Sequence, residues 1–379
     1  MIDLSLFEGK YRFANTVEIE IVKKGDMLLL QLGGLSNKYQ APLIYRSDYN
    51  YGLSYSNAEI RFSPPASGEA EILYWNGVPH YRPDPEDGPP APFLFQPDME
   101  INPQKRTEFE NLLQNASLAN GIIKYNLPYP KYELLYYLAK EKNVIFHGSI
   151  DRDISEFFPY RKTLDSHPHG NVKGIYATMD PIWPLFFAIL NRTPNAFRII
   201  NGPSKFNFSD GTSQMLYLFS IGAEFLEAHP FTNGMVYIFD RSLFHISGGG
   251  EPEEAEWVCE HEIKPIFRLP IQPSDFPFIN QIHPHILTKK QRELESLYPV
   301  IFQEFQEMVE IEDGIKINYA WSKQQLQNIA DYVTLQRIQM TWMEFIIKID
   351  PTEGIWLSLT GNPLIKSMVK KIMNEILKK

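Results

Sequence analysis

Between Pro83 and Pro92 the chain carries five prolines: Pro83, Pro85, Pro89, Pro90 and Pro92. Each locks φ and removes a backbone donor, so no helix and no interior strand can run through the stretch. It divides the 379 residues into a short front part and a long remainder. The expectation is a semi-rigid spacer over 87–105, separating a domain at 1–86 from the rest of the chain.

The front part reads as β. Val17 to Val22 alternates apolar and polar, Lys24-Gly25-Asp26 supplies a turn, and Met27 to Leu32 forms a returning strand. Glu59 to Phe62 and Glu71 to Trp75 repeat the pattern. Short strands with frequent turns predict a small antiparallel barrel or sandwich. Leu6-Phe7-Glu8-Gly9-Lys10-Tyr11, the strand pairs and a last strand over Gly77 to Tyr81 make this part similar to the lipocalin-like domain appended to serine β-lactamase-type proteins. That resemblance implies an accessory module.

After the spacer the pattern mixes helix and strand. Phe109, Leu112 and Leu113 line one helical face, and Leu134, Leu135 and Leu138 line another that follows Pro130. Val144-Ile145-Phe146 reads as a short buried strand ending at His147, and Val172 to Thr178 as a second. Asp180-Pro181 has the form of an N-cap with proline just inside a helix through Phe186, Phe187, Ile189 and Leu190. Further strands are expected at Arg198 to Ile200, Met215 to Phe219, Met235 to Phe239 and Trp257 to Ile263. From 286 to 379 the apolar spacing is helical: Leu294, Leu297, Ile301, Phe302 and Phe305, then Leu326, Ile329, Val333, Ile338 and Trp342, with a last helix opened by Asn362-Pro363. The expected class is therefore α+β: a small antiparallel β-barrel at 1–86, a mixed core with leading helices at 106–285 and a helical region at 286–379.

Bulk properties exclude several functions. A formal net charge of −10 disfavours broad binding to nucleic acid. The lysines near the C-terminus, Lys366, Lys370, Lys371, Lys378 and Lys379, read as a solvated helix face. One cysteine, Cys259, precludes an internal disulfide and a cysteine-rich zinc site; it is expected to be buried and inert although His261 lies two residues on. The pairs His167/His169 and His283/His285 supply too few converging ligands, so no metal is expected. Neither a secretory signal nor an apolar run of bilayer-spanning length is present, which predicts a cytoplasmic protein with no membrane partner. Walker, dinucleotide-fingerprint and nucleophile-elbow glycine motifs are missing.

Three short groups carry the chemistry. His147-Gly148-Ser149 places an imidazole, an approachable backbone and a hydroxyl at a strand end. Lys173-Gly174-Ile175-Tyr176-Ala177-Thr178 puts a tyrosine on the next strand; such a residue also suits an ordinary core. Gly248-Gly249-Gly250 leads through Glu254 to Glu256-Trp257-Val258, with Glu254 and Glu256 on one face of a strand; three glutamates there also suit a solvated loop. In this order the groups resemble the His…Tyr…Glu set of ADP-ribosyltransferases of the diphtheria-toxin-like class.

The resemblance covers about 140–280 and implies a split β-sheet core and an enzyme that consumes NAD as substrate, without metal. It assigns His147 to a ribose hydroxyl, the Gly148 main chain to the nicotinamide amide, Ser149 to a lesser contact and Tyr176 to stacking on nicotinamide. Phe187 and Phe219 are candidates for a second stacking ring. Glu256 becomes the catalytic carboxylate, because breaking the nicotinamide–ribose bond builds oxocarbenium-like charge that a fixed anion stabilises. Glu254 would help activate the acceptor. The acceptor is a protein or nucleic acid, as in bacterial toxins and phage-defence proteins that use this fold. Three alternatives remain: water, in an NAD glycohydrolase; an RNA 2′-phosphotransferase-like reaction; or a silent scaffold binding a protein partner through the β domain or the C-terminal helices.

Overall fold

The computed structural model describes residues 3–13, 17–33, 35, 40–54, 58–65, 68–160, 168–192, 199–207, 211–248 and 251–377. The chain is α+β and divides into two compact units, one of 1–159 with 174–286 and one of 160–173 with 287–379.

The first unit opens with eight strands: β1 (Gly9–Arg12), β2 (Glu18–Lys24), β3 (Met27–Leu32), β4 (Gln40–Ser47), β5 (Asn50–Leu53), β6 (Glu59–Phe62), β7 (Ile72–Trp75) and β8 (Val78–Tyr81). They close into an antiparallel barrel in which β1 returns to β8 at Arg12–Tyr81. The Asn76-Gly77 turn explains the tight β7–β8 hairpin, because both residues take positive φ, 48° and 82°. Phe7, Tyr11, Tyr51 and Phe62 fill the interior, with Tyr11 donating its hydroxyl to the Phe7 carbonyl. The strands β4 and β5 were not legible in the alternation; Pro42 interrupts the pattern, and barrel closure recruits them.

The proline stretch is fastened to the unit. It forms a single 3₁₀ turn at Pro85–Asp87, offers the Gly88 carbonyl to Arg12, and continues into β9 (Leu94–Phe95), which pairs with a later strand. Barrel and mixed core fall in one compact unit. Prolines block regular structure, but they leave carbonyls and apolar rings that the surroundings can use.

Beyond come α1 (Pro103–Leu118), α2 (Lys131–Glu141), β10 (Val144–Ser149), β11 (Ile175–Ala177), α3 (Trp183–Ile189), β12 (Ile199–Asn207), β13 (Ser213–Gly222), α4 (Ala223–Leu226), β14 (Gly234–Asp240), β15 (His245–Gly248), β16 (Glu256–Cys259), β17 (Phe267–Ile271) and β18 (His283–His285). Two three-stranded antiparallel sheets form, in the orders β10-β14-β17 and β11-β16-β15. One backbone bridge, Phe146 to Thr178, joins them. The hairpin β12–β13 builds a separate sheet with β9 and β18. One face of β10 puts Phe146 into an apolar core with α1, α2 and α3; the other puts Ile145 into a smaller core with Phe157, Ile175, Ala177, Tyr237 and Cys259.

The second unit corrects the expectation of a purely helical end. The helices α5 (Lys289–Phe302), α6 (Lys323–Gln339) and α7 (Ile365–Ile376) are present. Between them lie β19 (Glu307–Ile311), β20 (Gly314–Tyr319), β21 (Glu344–Asp350) and β22 (Gly354–Thr360), an antiparallel sheet in the order β19-β20-β22-β21. Ile315, Ile317, Tyr319, Ile355, Leu357 and Leu359 pack against the helices. Their period of two sat between strong helical repeats, and Trp342 belongs to the link after α6 and not to the helix. Among the described residues no helix is long and apolar enough to cross a membrane.

Candidate functional site

His147 of β10 meets the backbone of Tyr176 on β11 where the two small sheets part, and β16 brings Glu256 onto the Tyr176 face of β11. Phe146 of β10 exchanges both backbone hydrogen bonds with Thr178 at the end of β11, each at 2.9 Å. Continuing that antiparallel register would pair Gly148 with Tyr176 two residues on. That pair is not formed. The Tyr176 carbonyl instead accepts Nδ1–H of His147 at 2.6 Å. An imidazole thus takes the place of a backbone donor, and the strands diverge.

This substitution sets the chemistry of His147. A carbonyl only accepts, so Nδ1 carries the proton and Nε2 is left as an acceptor. Burial pushes the imidazole pKa below its usual value, the Tyr176 carbonyl opposes this, and the charge of Arg192 adds to the lowering. The ring is therefore neutral near pH 7. Its edge packs on Phe157, with centroids 5.2 Å apart.

Gly148 serves two neighbours. A Cβ there would lie 1.9 Å from the Pro184 carbonyl oxygen and 2.8 Å from the Ala188 nitrogen, so only glycine lets α3 rest on β10. By the alternation of the ladder its N–H and C=O share an edge with those of Phe146 and face the opening between the strands. Ser149 is turned to a local task, its hydroxyl accepting the Asp151 N–H at 3.1 Å.

Tyr176 and Glu256 share a face. Tyr176 pairs with Val258, two residues from Glu256, so the pleat sends both side chains to one side of β11–β16, their Cα atoms about 7–8 Å apart on the diagonal. Ile175 and Ala177 point the other way, into the smaller core. Glu256 is half-buried, opposite Gly248 of β15. Trp257 donates its indole N–H to the Pro252 carbonyl at 3.1 Å, tying the incoming turn to the strand.

Glu254 has a different environment from Glu256. One carboxylate oxygen accepts the Lys205 backbone N–H at 2.5 Å and the other accepts the Glu251 N–H at 3.1 Å. Gly249 and Gly250 of the preceding loop lie outside the described residues. Of the candidate stacking rings, Phe219 is buried among Phe186, Phe276 and Phe278 and is a core residue. Phe187 is only half-buried and carries the Arg192 guanidinium 5.3 Å above its ring.

Asp180 is a buried carboxylate with a partner that its place before a helix does not disclose. Only 2% exposed, it accepts N–H groups from Ile182 at 2.8 Å and Trp183 at 2.6 Å, but the helix begins later than expected, at Trp183 with Ile182 as its N-cap, so Pro181 lies in the turn before it. Asp180 also accepts the hydroxyl of Tyr217, from the distant strand β13, at 2.5 Å. Burial raises its pKa to about 6 against the hydrogen bonds from Tyr217, Trp183 and Ile182. That Asp180 binds the amides ahead of the helix was legible in the sequence, the start of the helix was not, and nothing in the sequence marks Tyr217 as its partner.

Cys259 is buried, with Sγ 3.5 Å from His261 Nδ1, and burial raises the thiol pKa, so the thiolate is disfavoured. His285 meets the Ser220 hydroxyl at 2.8 Å. His167 lies outside the described residues, as does the His169 side chain. No family model, curated protein or solved structure matches this chain.

Proposed function

We propose that this protein cleaves NAD at the nicotinamide–ribose bond and transfers ADP-ribose to a macromolecular acceptor. The observation that carries this reading is the parting of β10 and β11, where His147 takes the Tyr176 carbonyl and leaves the Gly148 main chain facing the opening. Two sheets joined by one bridge agree with the split core that the motif resemblance implies.

The residues present fit the substrate. His147 Nε2 accepts a ribose hydroxyl, in the tautomer that its Nδ1 contact selects. The Gly148 N–H and C=O match the carboxamide of nicotinamide, which has both an acceptor and a donor. The Tyr176 ring offers a flat surface for the pyridinium and orients the bond to be broken. As that bond lengthens, positive charge develops on the ribose, and the Glu256 carboxylate on the same face stabilises it more than the ground state. Nicotinamide leaves with the bonding electrons, and a nucleophilic atom of the acceptor bonds to the anomeric carbon, releasing its proton. Such an enzyme requires no metal and would act in the cytoplasm.

Incubation with NAD labelled in its nicotinamide ring, with and without cell extract as acceptor, tests this. Nicotinamide release by the parent and a fall of about 100-fold or more in Glu256→Gln are expected. Equal release by both proteins would remove Glu256 from its role, and no release by either would favour the silent scaffold.

A further inference from the structure

The strands that carry Tyr176 and Glu256 both end in a carboxylate that grips the same distant hairpin. Asp180 follows β11 and holds Tyr217 of β13. Glu254 precedes β16 and holds the backbone N–H of Lys205 on β12. Because Ala177 pairs with Trp257, the exit of β11 and the entry of β16 lie at one end of the sheet, the end that bears Glu256. A third tie lies nearby, where Trp183 donates its indole N–H to the Asn201 side chain of β12 at 2.5 Å.

The far side of the hairpin is braced by the barrel. Leu216 is part of the barrel core, while its neighbour Tyr217 points into the mixed core. Phe206 packs edge-on to Trp75, centroids 6.0 Å apart, and to Phe93 at 5.8 Å. β13 is paired with β12 on one edge and with β9 and β18 on the other, and the hairpin is further held at Asn201, Lys205, Phe206, Leu216 and Tyr217.

We propose that the β12–β13 hairpin is a wall of the Tyr176–Glu256 site, and that Asp180 and Glu254 are the positioning residues that hold it there. This rests on the NAD reading for the identity of the site, but the latches are independent of it. It also gives Glu254 a role other than activating the acceptor: both of its oxygens are committed to backbone donors. The barrel becomes a buttress for the hairpin.

Two variants of the full chain test the proposal. Tyr217→Phe keeps the ring beside Phe219 and Phe278 and removes only the hydroxyl. Glu254→Gln sacrifices one of two acceptors, because its amide N–H₂ must face one of the two backbone donors. Amide hydrogen exchange without NAD should quicken about tenfold or more over 199–207 and 213–222 in each variant and stay unchanged in the barrel strands β2 and β3. A tenfold change corresponds to about 1.4 kcal/mol on local opening, the scale of one lost hydrogen bond; Tyr217→Phe also removes the acceptor of the Gln96 amide. The kcat for nicotinamide release should fall in parallel, while urea midpoints remain near the parent's. Parental exchange across the hairpin in both variants would overturn the latch. Faster exchange with parental kcat would overturn the wall. If Glu254→Gln abolished transfer to an acceptor but left NAD hydrolysis and hairpin exchange intact, Glu254 would be the acceptor base and the proposal would fall. If the parent released no nicotinamide, exchange would still decide the latches and the NAD reading alone would fail.

Discussion

Replacing Asp180 by asparagine should change how stability depends on pH. The carboxyl is 2% exposed, and its pKa rises from 3.8 to about 6 on folding because burial outweighs the hydrogen bonds it accepts. Between those values the folded chain binds more protons than the unfolded one, so this group's contribution falls as pH rises through the window. It is least unfavourable below 3.8, and above 6 the full penalty of burying the charge is present. The span corresponds to about 3 kcal/mol, of which about 2.5 kcal/mol falls between about pH 4 and 7.5. Asparagine keeps an acceptor for the Ile182 and Trp183 amides and does not titrate. Urea unfolding of parent and Asp180→Asn, read by circular dichroism across that range, should show the parent losing stability relative to the variant by this amount. Curves that stay parallel over the whole range would show that Asp180 is not held in a buried, proton-retaining state.

Gly148→Ala should lower the thermal midpoint by about 6 °C or more, because a methyl 1.9 Å from the Pro184 carbonyl oxygen forces α3 outward at a cost of about 3 kcal/mol; a parental melting curve would contradict the close packing. Cys259 should resist maleimide labelling in the native protein at about pH 7.5 and react readily in urea, since the thiol is buried and its pKa raised; rapid native labelling would contradict the inert reading. These join the expected losses in Glu256→Gln and Tyr217→Phe.

Local patterns were legible wherever neighbours in sequence decide the outcome. The alternation at Val17 to Val22 and the run Met27 to Leu32 became β2 and β3, while the helix expected from Asp180-Pro181 starts at Trp183, with Asp180 binding the amides of the turn before it. The strands of the second unit were also written in the chain, as period-two runs around Asp313-Gly314 and Pro351 to Gly354, but longer helical repeats on either side masked them. Among the site groups, the sequence order placed His147 and Tyr176 on successive strands and Glu256 at a strand start, which is where they lie.

Tertiary structure decided what those residues face. Side-chain period and capping depend on a few adjacent residues, whereas a hydrogen bond such as His147 to Tyr176, 29 positions apart, or Asp180 to Tyr217, 37 apart, depends on where the chain returns. The two glutamates at 254 and 256 look equivalent in one dimension. Only the arrival of the β12 backbone commits the first to amide donors and leaves the second on the Tyr176 face. The proline stretch likewise excluded regular structure by its covalent geometry, while its attachment to Arg12 and β13 came from packing that composition does not encode.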